Sequence, residues 1–144
     1  VSDKVTVTSN LHGRTTDVRG RYTIAGPGFE LVSDGSVRSG GPGEEASSLD
    51  LLVASLVSCA LNAFRTDFVR SGQPERQVEI FARIERKVEG DYLGTLVMEC
   101  FIDQVDHVTP EQLVTEYKKR CRIYNALKES LPVVFVPHAS GPLP

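Results

Sequence analysis

Residues 47–64 read SSLDLLVASLVSCALNAF, and what this stretch becomes decides how the rest of the chain is arranged around it. The Ser47 hydroxyl can cap the first amides of a helix, and Asp50, three residues on, brings negative charge to the positive helix end. A helix is therefore predicted to start here and to run to about Arg70, with Gly72 and Pro74 as its stop signals. Almost every position of 51–64 is apolar, and a helix hydrophobic on all sides belongs in the middle of a structure. The run itself is too short to cross a bilayer and is interrupted by Ser55, Ser58 and Asn62, so no membrane span is predicted.

Upstream, KVTVTSNL, a segment near RGRYTIA, and FELVSD after the turn-forming AGPG read as a three-stranded meander. SVRSGGPGEEASS then reads as a flexible connector. Its GGPG comes with no GxGxxG or GK[ST] and so carries no phosphate-binding fingerprint. Gly40, Gly41 and Gly43 make it a candidate lid. Downstream of the helix, Val78, Ile80, Ala82 and Ile84 alternate with Glu79, Phe81, Arg83 and Glu85. Leu96, Met98, Cys100 and Ile102 do the same in a second strand, giving a hairpin that turns around EGDY. Thr109-Pro110-Glu111-Gln112 supplies an N-cap, a Pro at the first helical position and a Gln to close a capping box. The helix it opens extends to about Glu129, with an interruption near Cys121. PVVFVP, 132–137, is a short strand confined by a proline at each end, and 138–144 is a flexible tail beyond a single domain of 1–137. The pattern βββ-α-ββ-α-β is an α+β domain. From Phe29 onward it also matches the split β-α-β-β-α-β of a ferredoxin-like fold, which periodicity cannot separate from it.

The chain has 144 residues, 40% of them hydrophobic and 24% charged, with a formal net charge of −3. That is enough chain for one real core, and no positive field exists to gather nucleic acid or anionic lipid. The first residues, VSDKVTVTSN, lack the basic start, apolar middle and small-residue cleavage site of a secretory signal, which predicts a cytoplasmic location. The three cysteines include no CxxC and no Cys/His cluster of zinc spacing, so no metal site is expected. His12, His107 and His138 fall in turns or the tail, away from any GxSxG elbow.

Each thiol then depends on its surroundings. Ser55, Ser58, Cys59, Asn62 and Thr66 form one polar seam on an otherwise apolar helix. Such a seam needs hydrogen-bond partners or a small wet cavity. Taken by itself, Cys59 still reads as a small packing residue. Cys121 lies on the inward face set by Leu113, Val114, Tyr117, Tyr124 and Leu127, with Lys118, Lys119, Arg120 and Arg122 nearby to favour a thiolate. Cys100 alternates with buried strand residues and reads as packing.

Three stretches, FELVSDGSVRSGG, SSLDLLVASLVSCALNAF with Cys59, and CRIYNALKESLPVVF with Cys121, together resemble segments of the OsmC/Ohr family, the osmotically inducible protein C and organic hydroperoxide resistance proteins. The resemblance implies an OsmC-like fold and an intertwined homodimer, in which strands from one subunit join the sheet of the other around paired central helices. It implies a thiol peroxidase: Cys59 attacks an organic hydroperoxide, Cys121 resolves the sulfenate as a Cys59–Cys121 disulfide, and an external dithiol such as a lipoylated protein reduces it, with no bound cofactor. It also implies an arginine to hold the thiolate and a carboxylate to position it. Here the sequence departs from the family: Leu11 stands at the arginine position with Arg14 three residues later, Leu49 stands at the carboxylate position with Asp50 beside it, Ser48 replaces a proline, and Arg122 replaces the proline after the second cysteine. Arg14 and Asp50 are the candidate pair, with Arg19 or Arg21, and Glu44 or Glu45, as alternatives. Two other readings stay open: an OsmC-like small-molecule-binding or redox-sensing protein with weak or no peroxidase activity, and a ferredoxin-like module whose cysteines only pack.

Overall fold

The order of elements in the computed structural model, which describes residues 5–72, 77–87, 89, 93–103 and 108–140, follows the predicted βββ-α-ββ-α-β plan with the second helix divided. The backbone groups into two units, Val1–Leu52 and Val53–Pro144.

In the first unit β1 (His12–Thr15), β2 (Arg21–Gly26) and β3 (Phe29–Asp34) form an antiparallel meander. Pro27 and Gly28 turn β2 into β3, with Gly28 at φ 84°, a left-handed value that costs a residue without Cβ nothing. The first strand lies wholly beyond KVTVTSNL, and none of the described residues of that stretch is in a strand. Its alternation is that of a strand, yet a strand exists only where a neighbour takes its backbone groups, and pairing begins at His12 opposite Ala25. Val5 and Val7 are left 87% and 74% exposed.

The connector is a loop that contains one built turn. Ser36 caps one turn of 3-10 helix, Val37–Ser39, and the Gly41 amide donates to Ser36 O at 2.9 Å. A Cβ on Gly41 would collide with the Gly35 backbone, so the second glycine of the GG pair is fixed by a close approach. The buried Asp34 carboxylate accepts from the amides of Glu44 and Glu45, each at 3.0 Å, and from Arg21 Nε at 2.8 Å.

Helix α1 (Ser48–Arg70) begins as its sequence demands. Ser47 and Asp50 bond reciprocally, the Ser47 amide to Asp50 Oδ2 at 2.8 Å and the Asp50 amide to Ser47 Oγ at 3.1 Å. Gly72, at φ 75°, follows its end, while Pro74 lies outside the described residues. With its flanks the helix is longer than the run 51–64, and Ser48–Phe68 is by length and composition long and apolar enough to cross a membrane. Leu56, Ala60, Phe64 and Phe68 nonetheless recur at every fourth position and are fully buried in the core of the second unit. The expected burial on all sides is not met within one chain: Ala54, Ser58, Leu61, Asn62 and Arg65 are exposed.

The second unit carries a sheet of order β4-β5-β6. β4 (Val78–Glu85) and β5 (Thr95–Asp103) are antiparallel, Val78 facing Ile102, and Leu96, Met98, Cys100 and Ile102 of β5 are buried. The turn residues 90–92 lie outside the described residues. β6 (Val133–Ser140) lies parallel to β5, which requires the crossover made by α2 (Pro110–Arg120) and α3 (Arg122–Leu127). The Thr109 capping box with Gln112 forms as predicted. β6 runs three residues past Pro137, correcting the strand's expected end. Pro137 is tolerated because β6 is an edge strand, and residues 141–144 are outside the description. α2 packs on β5 and β6, and the Tyr117 ring sits among Phe64, Tyr124 and Phe135 at centroid distances of 6.1, 5.6 and 5.2 Å.

Candidate active site

A disulfide joins Cys59, midway along α1, to Cys121, 62 residues away, with Cα atoms 6.8 Å apart. The second sulfur is positioned by a break in the helix. Cys121 takes extended dihedrals (φ −71°, ψ 110°), ending α2 by donating its amide to Tyr117 O at 2.9 Å and opening α3 by accepting the Tyr124 amide on Sγ at 3.3 Å. Asn125 clamps the break, its Nδ2 donating to Lys118 O and Cys121 O, both at 2.9 Å. Arg122 is the first residue of the new helix.

The sulfurs lie on a hollow of about 220 Å³, open to solvent, whose wall is Cys59, Asn62, Ala63, Thr66, Arg70, Arg120 and Cys121. Most of the predicted polar seam is therefore used. Cys59, Asn62, Ala63, Thr66 and Arg70 follow the three- and four-residue spacing of one helix face. Thr66 satisfies its hydroxyl by donating to Asn62 O at 2.8 Å. Arg120 enters from α2, its guanidinium bonded to Asp67 Oδ1 on α1. That bond, outweighing the cost of burial, raises the Arg120 pKa and keeps it cationic.

Cys100 is fully buried, and burial pushes its thiol up to about 12, which leaves it protonated and unreactive. Among the described residues no group of three His, Cys, Asp or Glu side chains is placed to hold a metal.

The first-unit candidates are arranged among themselves. Arg14 is exposed on β1, opposite Thr23. Asp50 is taken up by the helix cap, Oδ2 receiving the Ser47 hydroxyl at 2.6 Å, and its carboxyl is held below the usual range by that bond. Arg19 is exposed. Arg21 grips Asp34 with two nitrogens, at 2.8 and 2.9 Å, and reaches Glu44 at 3.0 Å, while Glu45 contributes its amide to Asp34. His138 stacks on Phe101 at 4.5 Å, and His107 is outside the described residues.

Asp67, Arg70 and Asn125 were not among the sequence candidates. Asp67 and Arg70 were within reach of the same periodicity, eight and eleven residues after Cys59 on one helix. Asn125 was signalled only by its four-residue offset from Cys121.

The sequence matches the OsmC-like protein family over residues 41–135. No curated protein matches it. Among solved structures, an OsmC-like protein from Mycoplasma pneumoniae is 14% identical, with 96% of this chain and 98% of that one covered and a TM-score of 0.69. An organic hydroperoxide resistance protein from Elizabethkingia anophelis, with thiocyanate bound, is 16% identical over 95% of this chain and 99% of that one, TM-score 0.68. An organic hydroperoxide resistance protein OsmC from Legionella pneumophila is 17% identical over 94% and 100%, TM-score 0.64. At such identities the likeness is one of fold.

Proposed function

The chain belongs to the OsmC-like protein family, and on that footing we propose that it is a thiol-dependent peroxidase that reduces organic hydroperoxides, with Cys59 as nucleophile and Cys121 as resolving thiol. The observation that carries this reading is the bond between the two sulfurs on the wall of a solvent-open hollow. A pair held this close needs no large rearrangement to trap an oxidised intermediate.

The Cys59 thiolate attacks the terminal oxygen of the hydroperoxide. An S–O bond forms as the O–O bond breaks, and the departing alkoxide takes a proton and leaves as the alcohol. Cys59, two electrons poorer, is then a sulfenic acid. The Cys121 thiolate attacks that sulfur and expels hydroxide, which is protonated to water, leaving the disulfide. An external dithiol, for instance a lipoylated protein in the reducing cytoplasm, returns two electrons by two exchange steps and ends as its own disulfide.

Asn62 lines this hollow and also a wider trough beside Ala54, Val57 and Leu61 on the same helix. The trough gives the organic part of a substrate apolar surface that hydrogen peroxide cannot use. An intertwined homodimer would cover part of this helix face and would offer a strand partner to residues 5–11.

A second reading, an OsmC-like binding or redox-sensing protein with little peroxidase turnover, draws on Asp50, whose carboxylate is bonded to Ser47. One experiment orders the two. Reduced protein is exposed to cumene hydroperoxide or hydrogen peroxide and its disulfides are mapped over time. The peroxidase forms the 59–121 bridge fast with the organic oxidant and not at all as Cys59→Ser. Slow oxidation spread over all cysteines supports the second reading.

A further inference from the structure

The chemistry above needs a cation beside Cys59, both to hold the thiolate and to draw off charge from the breaking O–O bond. Four basic residues surround Cys121 in KKRCR. Three have other placements: Lys118 lies over the Phe135 ring at 5.3 Å, Lys119 pairs with Glu116 at 2.9 Å, and Arg122 is exposed in the first turn of α3. Arg120 alone of the four lines the hollow with both sulfurs.

Its anchoring is unusual for a surface arginine. Asp67, only 12% exposed, receives it on Oδ1, while Oδ2 is buried without a hydrogen-bond partner among the described residues. The carboxylate is committed to this one cation. A guanidinium has five N–H donors in a rigid fork, so a single bond to Asp67 leaves the rest able to face the hollow. Arg70 also reaches the hollow, but it is exposed and makes no ion pair among the described residues.

We propose that Arg120, held by Asp67, is the cation that stabilises the Cys59 thiolate and binds the hydroperoxide oxygens, so that α2 delivers both the resolving cysteine and the charge that activates its partner. The proposal rests on the peroxidase reading for its substrate, but the state of the thiol tests it without any peroxide. The charged groups facing this point are Arg70 and Asp67 from α1, and Arg120, Glu116 and Cys121 from α2 and its end. Loss of Arg120 leaves Asp67 and Glu116 as nearby negative charge, which disfavours the thiolate.

The experiment follows Cys59 alkylation by iodoacetamide against pH in the reduced full chain, by peptide mass, together with the rate of sulfenate formation by cumene hydroperoxide. Arg120→Gln moves the alkylation midpoint up by roughly one pH unit and slows sulfenate formation on the order of 100-fold. Arg120→Lys restores at least about tenfold of that loss, because it keeps the charge. Arg122→Gln, equally close to Cys121 in sequence, changes neither. An unshifted midpoint in Arg120→Gln overturns the proposal. So does equal loss in Arg120→Gln and Arg120→Lys with matched drops in melting temperature, which marks a purely structural ion pair, or a shift produced by Arg14→Gln instead. If the parent protein forms no sulfenate at all, the peroxidase reading fails, while the alkylation midpoint still decides the role of Arg120.

Discussion

Cys59 and Cys100 show how little a cysteine's own neighbours in sequence reveal. Both sit in apolar runs, yet one half-buried sulfur reaches a hollow and the other is sealed with its thiol pushed up to about 12. Cys121→Ser removes the resolving thiol, so Cys59 should stop at the sulfenic acid after one equivalent of cumene hydroperoxide. Trapping with dimedone and peptide mass checks this, and the adduct belongs on Cys59 alone. Cys100→Ala, by contrast, should leave peroxide reactivity unchanged while costing about 1 kcal/mol of stability, the penalty of a small cavity, read from urea unfolding. Of the sequence seam of Ser55, Ser58, Cys59, Asn62 and Thr66, three residues, Cys59, Asn62 and Thr66, line the hollow. Arg120 falls on the inward face of α2, three residues after Tyr117 and seven after Leu113, but what distinguishes it from its basic neighbours is its bond to Asp67 on α1, a partner distant in sequence that leaves no local signal.

At the scale of elements, the parts governed by local chemistry were the legible ones. The Ser47–Asp50 and Thr109–Gln112 caps and the β4–β5 alternation all follow from a few adjacent residues. Thr109→Ala should destabilise the second unit by about 1 kcal/mol, measured by thermal melting, since it orphans the Gln112 amide. What was missed depends on partners distant in sequence. KVTVTSNL has strand periodicity but finds no neighbour before His12, and the glycine-rich connector is held by Asp34, whose role as a buried acceptor leaves no local signature. The Arg21 guanidinium beside Asp34, with help from the Glu44 and Glu45 amides, holds that carboxyl well below the ordinary value of 3.8. A carboxyl lowered by folding stabilises the fold fully above its unfolded value. The contribution fades as pH falls through that value and towards the folded one. Melting temperature should therefore drop on acidification from about pH 5 to about pH 2, and Asp34→Asn should flatten that part of the profile at the cost of lower stability at neutral pH.

For the whole molecule, the α+β order was legible because helix and strand periods alternate cleanly, whereas the surroundings of α1 were not. A helix apolar on every side was expected to be enclosed, and among the described residues one chain fully buries the stripe of Leu56, Ala60, Phe64 and Phe68 alone. Sedimentation should therefore give a mass near twice 15.8 kDa, and a monomer would remove the homodimer from the proposal. The 62-residue span closed by the disulfide constrains the unfolded chain, so reduction should lower stability by about 4 kcal/mol, an upper bound from loop-closure entropy. The claim on which the function turns is that one hydroperoxide converts these two thiols, and no other, into that bond. The direct measurement is a single-turnover titration of the fully reduced chain with one equivalent of cumene hydroperoxide, counting free thiols and alcohol released. The account predicts one alcohol per chain, loss of two of the three thiols and Cys100 untouched. Alcohol formed without loss of Cys59 and Cys121, or no alcohol at all, would contradict it.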